Sequence, residues 1–325
     1  LDLLPYLPSG YLDDFVPSHI RLFHIDGKQY ALPLYTGISA LYYNQDMFEA
    51  IGLTPPDETW DWDDLLDAAR KLTRRDETGM VTTYGTDVQV AWDRVILWIW
   101  ENDGEVIEEG QFVGSHVTFD APEVVEAIQF LQDLIHSHEV APSWIQLGMD
   151  PWVGFWRGDT VAMWQSGSWD IANTLQQAPF QWNVSVRPRG RNGTAAAVHT
   201  SDGIMVYKGT PHPEAAARFV QFLTSRDAQE ILMYQANLQP ARLSLGIDYA
   251  TATAPARQGI NMGVFVEQTA YARPAPFFTE QTRVSNVMIT TFNQVIYQNT
   301  MPAQSAMENL TRELNAIMRG EEPEN

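Results

Sequence analysis

The sequence has no cysteine among its 325 residues, which excludes disulfide bonds, thiolate metal sites and a cysteine nucleophile. No apolar run approaches the roughly 20 residues that a membrane-spanning helix needs; VILWIW at 95–100 is among the longer runs. Basic residues are scarce, with 20 Lys and Arg against 41 Asp and Glu, for a net charge of −21. This balance argues against nucleic acid or an anionic membrane surface as a partner and favours solubility.

Motifs of the common enzyme classes are also missing. The chain has no phosphate-binding glycine loop, no G-x-S-x-G turn and no H-E-x-x-H helix. His136 and His138 stand two apart on a predicted helix, so they face different directions and form a poor metal pair. Helix-start chemistry explains the clustered carboxylates of ETWDWDD. We therefore expect no cofactor, no metal and no catalytic residue, although 41 acidic residues are compatible with a glycosidase carboxylate pair.

What the sequence does contain is an alternation of strand and helix patterns, in a chain long enough for two domains. Residues 62–72 carry apolar side chains at helical spacing, behind a capping residue at Thr59 or Asp61. FQWNVSVRP alternates apolar and polar residues like a half-buried strand. The last third of the chain is almost wholly helical in pattern. Together these features predict an α/β fold.

The chain is rich in aromatic residues, with 11 Trp and 12 Tyr. Most of them are expected in the core, but Trp92 and Trp169 stand at the starts of predicted helices. A tryptophan at such an edge can offer its face to a groove, where the apolar C–H face of a sugar ring stacks on it and polar side chains bind the hydroxyl groups. We interpret both residues as candidate ligand contacts, with core packing as the alternative.

Four stretches of the chain carry a family resemblance when they are taken in order. They are YALPLYTGISALYYNQDMFEAIGL with ETWDWDDLLDAARKLT, FWRGDTVAMWQSGSW, TSDGIMVYKGTPHPEAAARFVQFLTSRDAQEILMYQANLQPAR and PAQSAMENLTRELNAIM. This series resembles the extracellular solute-binding proteins, family 1, of bacterial ABC importers, the sugar-binding group that includes maltose-binding protein. Each motif alone is loose, but together they span nearly the whole chain.

The resemblance implies a two-lobe, periplasmic-binding-protein-like α/β fold (type II), with the ligand in a cleft between lobes joined by crossing hinge strands. It assigns residues 1–38 and 201–272 to the N-terminal lobe and residues 39–200 and 273–325 to the C-terminal lobe. The crossings are expected at 33–43, 199–206 and 272–278. It also implies a truncated N-terminal lobe, with roughly 60–90 residues of βα units, the export signal and any lipid-attachment cysteine lying outside this sequence.

The resemblance also implies where the ligand binds. Trp169 matches the family's G-x-W tryptophan, which stacks on sugar, and Trp92 falls near an aromatic ligand position. The expected crossings add further candidates: Thr36, Gly37, Ser201, Asp202, Arg273 and Phe277. The carboxylate that some members carry near Thr36 is missing here. Asp202 has the acceptors to bind two sugar hydroxyl groups, with a turn or hinge hydrogen bond as the alternative.

The implied function is that of an extracytoplasmic receptor, in the periplasm or lipid-anchored to the outer face of the cytoplasmic membrane, that captures a sugar by hinge closure. Its implied partners are the permease subunits of an ABC importer, and the abundance of tryptophan favours an oligosaccharide. We expect a monomer.

Two alternatives to this function stay open. One is the same fold binding a glycerol phosphoester or a polyol, and the other is a carbohydrate-active enzyme. An anionic ligand would need Arg or Lys at its site, and the candidates are Arg273 and the group Arg187, Arg189 and Arg191. We expect that group on an exposed loop, which makes a phosphate ligand the weaker alternative.

Overall fold

The computed structural model describes residues 1–108, 111 and 113–321. Contacts between Cα atoms divide the chain into two compact units. Unit 1 comprises Leu1–Ala40, Ser166–Gln176 and His199–Pro274, and unit 2 comprises Leu41–Gln165, Gln177–Val198 and Ala275–Asn325. Trp169 therefore groups with unit 1. The lobe boundaries given above stay a prediction.

Unit 1 is built on a long strand, Ala31–Asn44, whose first part pairs antiparallel with His199–Met205, from Ala31 opposite Met205 to Ile38 opposite His199. A short antiparallel pair, His24–Ile25 with Lys28–Gln29, precedes it. The helices of this unit are Pro17–Leu22, Ile171–Gln177, Pro213–Leu223, Arg226–Ala236, Gly246–Ala252, Ala254–Arg257 and Gly263–Gln268, with single 3₁₀ turns at Leu4–Tyr6, Ser168–Asp170 and Leu243–Leu245. Leu3, Leu32, Val206, Ala217 and Val220 form a core cluster here.

In unit 2 the same long strand continues and pairs antiparallel with Trp182–Ser185, while Met163–Gly167 lies on its other side. Short pairs join Arg74–Arg75 to Val81–Thr83 and Val113–Gly114 to Phe277–Phe278. The helices are Gln45–Ala50, Trp62–Leu72, Trp92–Glu101, Pro122–His136, Trp144–Leu147, Pro151–Trp156, Gln281–Phe292 and Ala303–Met318, with a π-helical turn at Asn293–Tyr297. Strands and helices alternate as the sequence predicts.

Local chemistry explains where these elements begin. Asp61, rather than Thr59, caps the helix Trp62–Leu72, and Asp64 completes a reciprocal capping box with it. The apolar stripe of this helix is buried, and Trp62 stacks on Phe130 with ring centroids 4.6 Å apart. Within the part of the chain that the structure describes, no helix is both long and apolar enough to cross a membrane.

Candidate functional site

In unit 1 the indole of Trp169 lies directly against the backbone of two glycines. An ideal Cβ built on Gly37 would stand 2.7 Å from Trp169 Cε3, and one built on Gly167 would stand 2.3 Å from Trp169 Cη2. The strand of β-forming residues is interrupted at Gly37 because a side chain there would collide with the ring. Trp169 itself is half-buried, so part of its surface stays accessible for stacking on a ligand.

Beside Gly37 in the chain, Thr36 belongs to a buried polar cluster with two histidines. His19 and His199 are buried with ring centroids 4.1 Å apart, and the Thr36 hydroxyl is hydrogen-bonded to His19 Nε2. Burial, assisted by His199, lowers the pKa of His19 to about 2. Burial, assisted by Arg21, lowers the pKa of His199 to about 4. Both rings are therefore neutral at pH 7, and the hydroxyl of Thr36 is engaged within the unit.

The strand His199–Met205 carries the next predicted contacts. Ser201 pairs with Thr36 across the two strands and donates its hydroxyl to the Tyr35 carbonyl at 3.0 Å. Asp202 is exposed and accepts from the Tyr35 hydroxyl at 2.7 Å. Burial, with this hydrogen bond, raises the pKa of Tyr35 to about 12.

Arg273 belongs to the same neighbourhood through its backbone. Its carbonyl accepts a hydrogen bond from the His199 N–H at 3.1 Å, and its side chain is half-buried. Unit 1 thus brings together six of the predicted site residues on neighbouring segments: Thr36, Gly37, Trp169, Ser201, Asp202 and Arg273. Their role in ligand binding stays a prediction.

Trp92 and Phe277, the other two predicted contacts, lie in unit 2. Trp92 begins the helix Trp92–Glu101 as predicted, and its Nε1 donates to the Pro276 carbonyl at 2.9 Å. Its half-buried ring packs against Phe119 and Phe278, with centroids 5.8 Å and 5.5 Å away. Phe277 is 51% exposed. These contacts bring the two predicted residues to neighbouring positions on the surface of unit 2.

Unit 2 also contains a groove of about 500 Å³ that the sequence reasoning missed. Three segments line it, and their residues are Gln89, Val90, Ala91, Trp144, Ile145, Gly148, Met149, Asp150, Pro151, Trp152, Ile289 and Tyr297. Trp144 and Tyr297 are buried, whereas Trp152 is 43% exposed and offers ring surface to the groove. Among these described lining residues there is no Lys, Arg or His.

Two tryptophans at the starts of helices are the sequence feature that indicates this groove. Trp144 and Trp152 stand at the starts of two short helices, Trp144–Leu147 and Pro151–Trp156, with Gly148 in the left-handed region between them at φ 62°. Tryptophan at a helix start is the same criterion that singled out Trp92 and Trp169. Applied to every tryptophan, it would have included both of these residues.

A buried polar network stands behind one lining residue, Gln89. Its Nε2 donates to Asp87 Oδ2 at 2.7 Å and to the Gln165 carbonyl at 2.6 Å. Asp87 Oδ1 accepts from the Gln165 N–H at 2.9 Å. Asp87 is fully buried, and this burial raises the pKa of its carboxyl to about 7.

The network continues into an ion pair. The Arg187 guanidinium is hydrogen-bonded to the Gln165 side chain and pairs with Glu101 Oε1 at 2.7 Å. Both charged side chains are at most 1% exposed. The prediction that Arg187 lies on an exposed loop is therefore wrong, because the residue follows the strand Trp182–Ser185 into the core. Arg191 does lie at the surface, where it pairs with Asp63 at 3.0 Å.

These features describe an α/β protein with an aromatic groove in its second unit. In the described ranges, no group of three or more His, Cys, Asp or Glu is placed to hold a metal ion. The family model of the bacterial extracellular solute-binding proteins matches residues 2–230. The chain belongs to this family.

Curated relatives are similar over part of their length. An arabinooligosaccharide-binding protein from Halalkalibacterium halodurans is 27% identical over 242 residues, which cover 71% of this chain and 52% of the relative. This chain thus spans about half the length of that relative. An sn-glycerol-3-phosphate-binding periplasmic protein from Pectobacterium atrosepticum is 25% identical over 223 residues, which cover 66% of this chain and 47% of the relative.

Solved structures share the fold. An ABC substrate-binding protein from Listeria monocytogenes in complex with cycloalternan matches with a TM-score of 0.85 and 26% identity, over 99% of this chain and 80% of that chain. Maltose-bound T. maritima MalE3 matches with a TM-score of 0.81 and 25% identity, over 98% and 80% of the two chains. The predicted two-lobe, periplasmic-binding-protein-like α/β fold is confirmed. The relatives are binding proteins rather than enzymes.

Proposed function

We propose that this protein is an extracytoplasmic receptor that binds a sugar of oligosaccharide size and delivers it to the permease of an ABC importer. The groove of unit 2 carries the proposal, because aromatic rings line it and no cation is found among its described lining residues. Ring faces stack on sugar C–H groups, and Gln89 and Asp150 supply hydrogen-bond acceptors for hydroxyl groups. Family membership and the oligosaccharide ligands named for two relatives support the same conclusion.

Unit 1 supplies a second surface in this proposal. Trp169 offers the exposed part of a ring that Gly37 and Gly167 hold from behind, and Asp202 is an exposed carboxylate. We assign stacking to Trp169 and hydroxyl binding to Asp202. Thr36, Gly37 and Ser201 shape this surface from within, since their contacts are to the unit itself. Hinge closure, a monomeric state and a periplasmic or lipid-anchored location remain expectations from the family.

A glycerol phosphoester is the second candidate ligand, favoured by one of the named relatives. A phosphate group is bound best by Arg or Lys at hydrogen-bonding distance. Arg187 is committed to a buried ion pair, and Arg191 pairs with Asp63. Neither lines the groove, so the groove fits a neutral ligand better than an anionic one.

Calorimetric titration with maltotriose, arabinotriose and glycerol 3-phosphate tests the proposal, with Trp152→Ala as the key variant. We expect a sugar to bind and the variant to lose about tenfold in affinity, equal to about 1.4 kcal/mol. Val153→Ala is the matched control, because Val153 is the next residue on the same helix and does not line the groove. Binding of glycerol 3-phosphate alone, or release of shortened sugars, would contradict the receptor proposal.

A further inference from the structure

The orientation of the Gln89 amide is fixed by its two inner partners. Both are acceptors, the Asp87 carboxylate at 2.7 Å and the Gln165 carbonyl at 2.6 Å. An amide oxygen in that position would face two other oxygens, so only the amide nitrogen satisfies it. Gln89 lines the groove. Because both of its Nε2 hydrogens are donated inward, Oε1 is the polar atom of this side chain that remains for a ligand, and Oε1 is an acceptor.

Asp87 is held as firmly as the glutamine that it orients. Its carboxylate accepts the Gln165 N–H through Oδ1, while the Gln165 side chain donates back to the Asp87 carbonyl at 3.3 Å. Arg187 in turn holds the Gln165 side chain and is balanced by Glu101. This chain of hydrogen bonds is complete only when Asp87 is ionised, because both carboxylate oxygens face donors.

We propose that Asp87 is a positioning residue: its carboxylate holds the Gln89 amide so that Oε1 accepts a hydrogen bond from a ligand hydroxyl, and protonation of Asp87 loosens this orientation. The inference rests on the proposed sugar-binding function of the groove. Oδ1 faces a backbone N–H, so an added proton resides on Oδ2 and points at Gln89. The amide nitrogen then loses the Asp87 acceptor and keeps only the Gln165 carbonyl, so one of the two contacts that hold Oε1 toward the groove is gone.

The electrostatic surroundings place this change near neutral pH. Burial raises the pKa of the Asp87 carboxyl to about 7, although its hydrogen bonds with Gln165 and Gln89 and the charges of Arg187 and Arg94 favour ionisation. From the π-helical turn, the Tyr297 side chain faces the same carboxyl and is neutral throughout this range because its own pKa is raised by burial. The carboxylate state therefore prevails above pH 7, and affinity for a hydroxyl donor is expected to be higher there than in acid.

The first experiment needs no ligand. The side-chain amide signal of Gln89, assigned by its loss in Gln89→Ala, is followed by ¹⁵N NMR between pH 5.5 and 8.5 in the wild type and in Asp87→Asn. We expect it to titrate in the wild type and to stay constant in the variant. Asp93→Asn, a carboxyl on the adjacent helix that pairs with Arg94, is the control and should leave the titration in place. A constant wild-type signal, or a titrating signal in Asp87→Asn, would overturn the proposal.

The second experiment tests whether the contact between Asp87 and Gln89 affects sugar binding, with maltotriose and arabinotriose as probes. Affinity in the wild type should fall about tenfold from pH 8.5 to pH 5.5, and Asp87→Asn should remain at the weaker value throughout. In a Gln89→Ala background, Asp87→Asn should add no further loss, because a positioning residue acts through the residue that it positions. Sugar binding that is independent of pH would refute the coupling.

The two experiments also separate this inference from the function on which it rests. A titrating Gln89 signal without binding of any sugar would refute the proposed function while leaving the link between Asp87 and Gln89 established. Sugar binding with a Gln89 signal that does not titrate would do the reverse.

Discussion

Each unit contains a buried polar cluster, and the two clusters differ in charge. Unit 1 encloses His19 and His199, which are uncharged because burial lowers both pKa values. Unit 2 encloses the charged pair Arg187 and Glu101. Protonation in acid destabilises the buried neutral histidines, whereas the ion pair is destabilised when either of its charged side chains is removed. The two interiors should therefore respond to different perturbations, acid in unit 1 and substitution in unit 2.

Replacement of Arg187 by methionine should produce the largest loss of stability. It leaves the Glu101 carboxylate buried without its cation, which costs about 3–5 kcal/mol of unfolding free energy. Urea denaturation followed by circular dichroism measures the effect. Lys71→Met is the control, because Lys71 and Asp67 form a pair with both side chains more than half exposed; it should cost about 0.5 kcal/mol or less. Equal losses in the two variants would show that burial of the pair does not matter.

His199→Leu should change how unit 1 responds to acid. An unfolded histidine takes up a proton near its ordinary pKa of 6.5, whereas the folded His199 does so only at about 4. Between these values the unfolded state binds more protons, so stability falls as pH falls. Leucine has a similar volume and does not titrate. Because neither ring nitrogen of His199 has a hydrogen-bond partner among the described residues, the substitution leaves no buried polar group unsatisfied there.

Between pH 6.5 and 4, the wild type should take up one more proton on unfolding than the His199→Leu variant does. Between pH 6.5 and 4 the wild type should lose about 1.4 kcal/mol more per pH unit than the variant. Denaturation midpoints at half-unit intervals give the two curves, in which the carboxylates common to both proteins cancel. Parallel curves would mean that the pKa of His199 is the same in the folded and unfolded states.

The third prediction compares two glycines of unit 1. Gly37→Ala places a methyl group 2.5 Å from Thr200 Oγ1 and 2.7 Å from the Trp169 ring, so both must move. We expect a loss of about 1–3 kcal/mol and a shift in tryptophan fluorescence. Gly263→Ala is the matched control, since its new Cβ would meet only Asn261 Oδ1 at 3.4 Å at the start of a helix. If Gly37→Ala behaves like this control, Trp169 is not held by the glycine.

The two candidate surfaces also differ in how visible they are in the sequence. Around Gly37 and Trp169, a glycine breaks a run of β-forming residues and a tryptophan follows a second glycine, so local pattern finds both. The groove depends on Gln89, Trp152 and Tyr297, which are far apart in the chain and meet only through packing. Local patterns also predicted a helix cap at Thr59 or Asp61, of which Asp61 is the cap, but they did not predict the buried position of Arg187. An arginine next to exposed loop residues gives no sign that a glutamate 86 positions away faces it in the core.

Asp202→Asn should have the smallest effect on stability, and it tests whether the exposed edge of unit 1 is separate from its buried cluster. The carboxylate is exposed and makes a hydrogen bond with the Tyr35 hydroxyl, so the unfolding free energy should change by about 0.5 kcal/mol or less. The pKa of Tyr35, about 12 in the wild type, should fall, but not to its ordinary value, because burial is the larger cause of its shift. NMR titration with ¹³C-labelled tyrosine measures this change, and Asp248→Asn, an exposed carboxyl of the same unit, is the control. A Tyr35 pKa that does not move would mean that burial alone sets it, and Asp202 would then be as available to a ligand as any other exposed carboxylate.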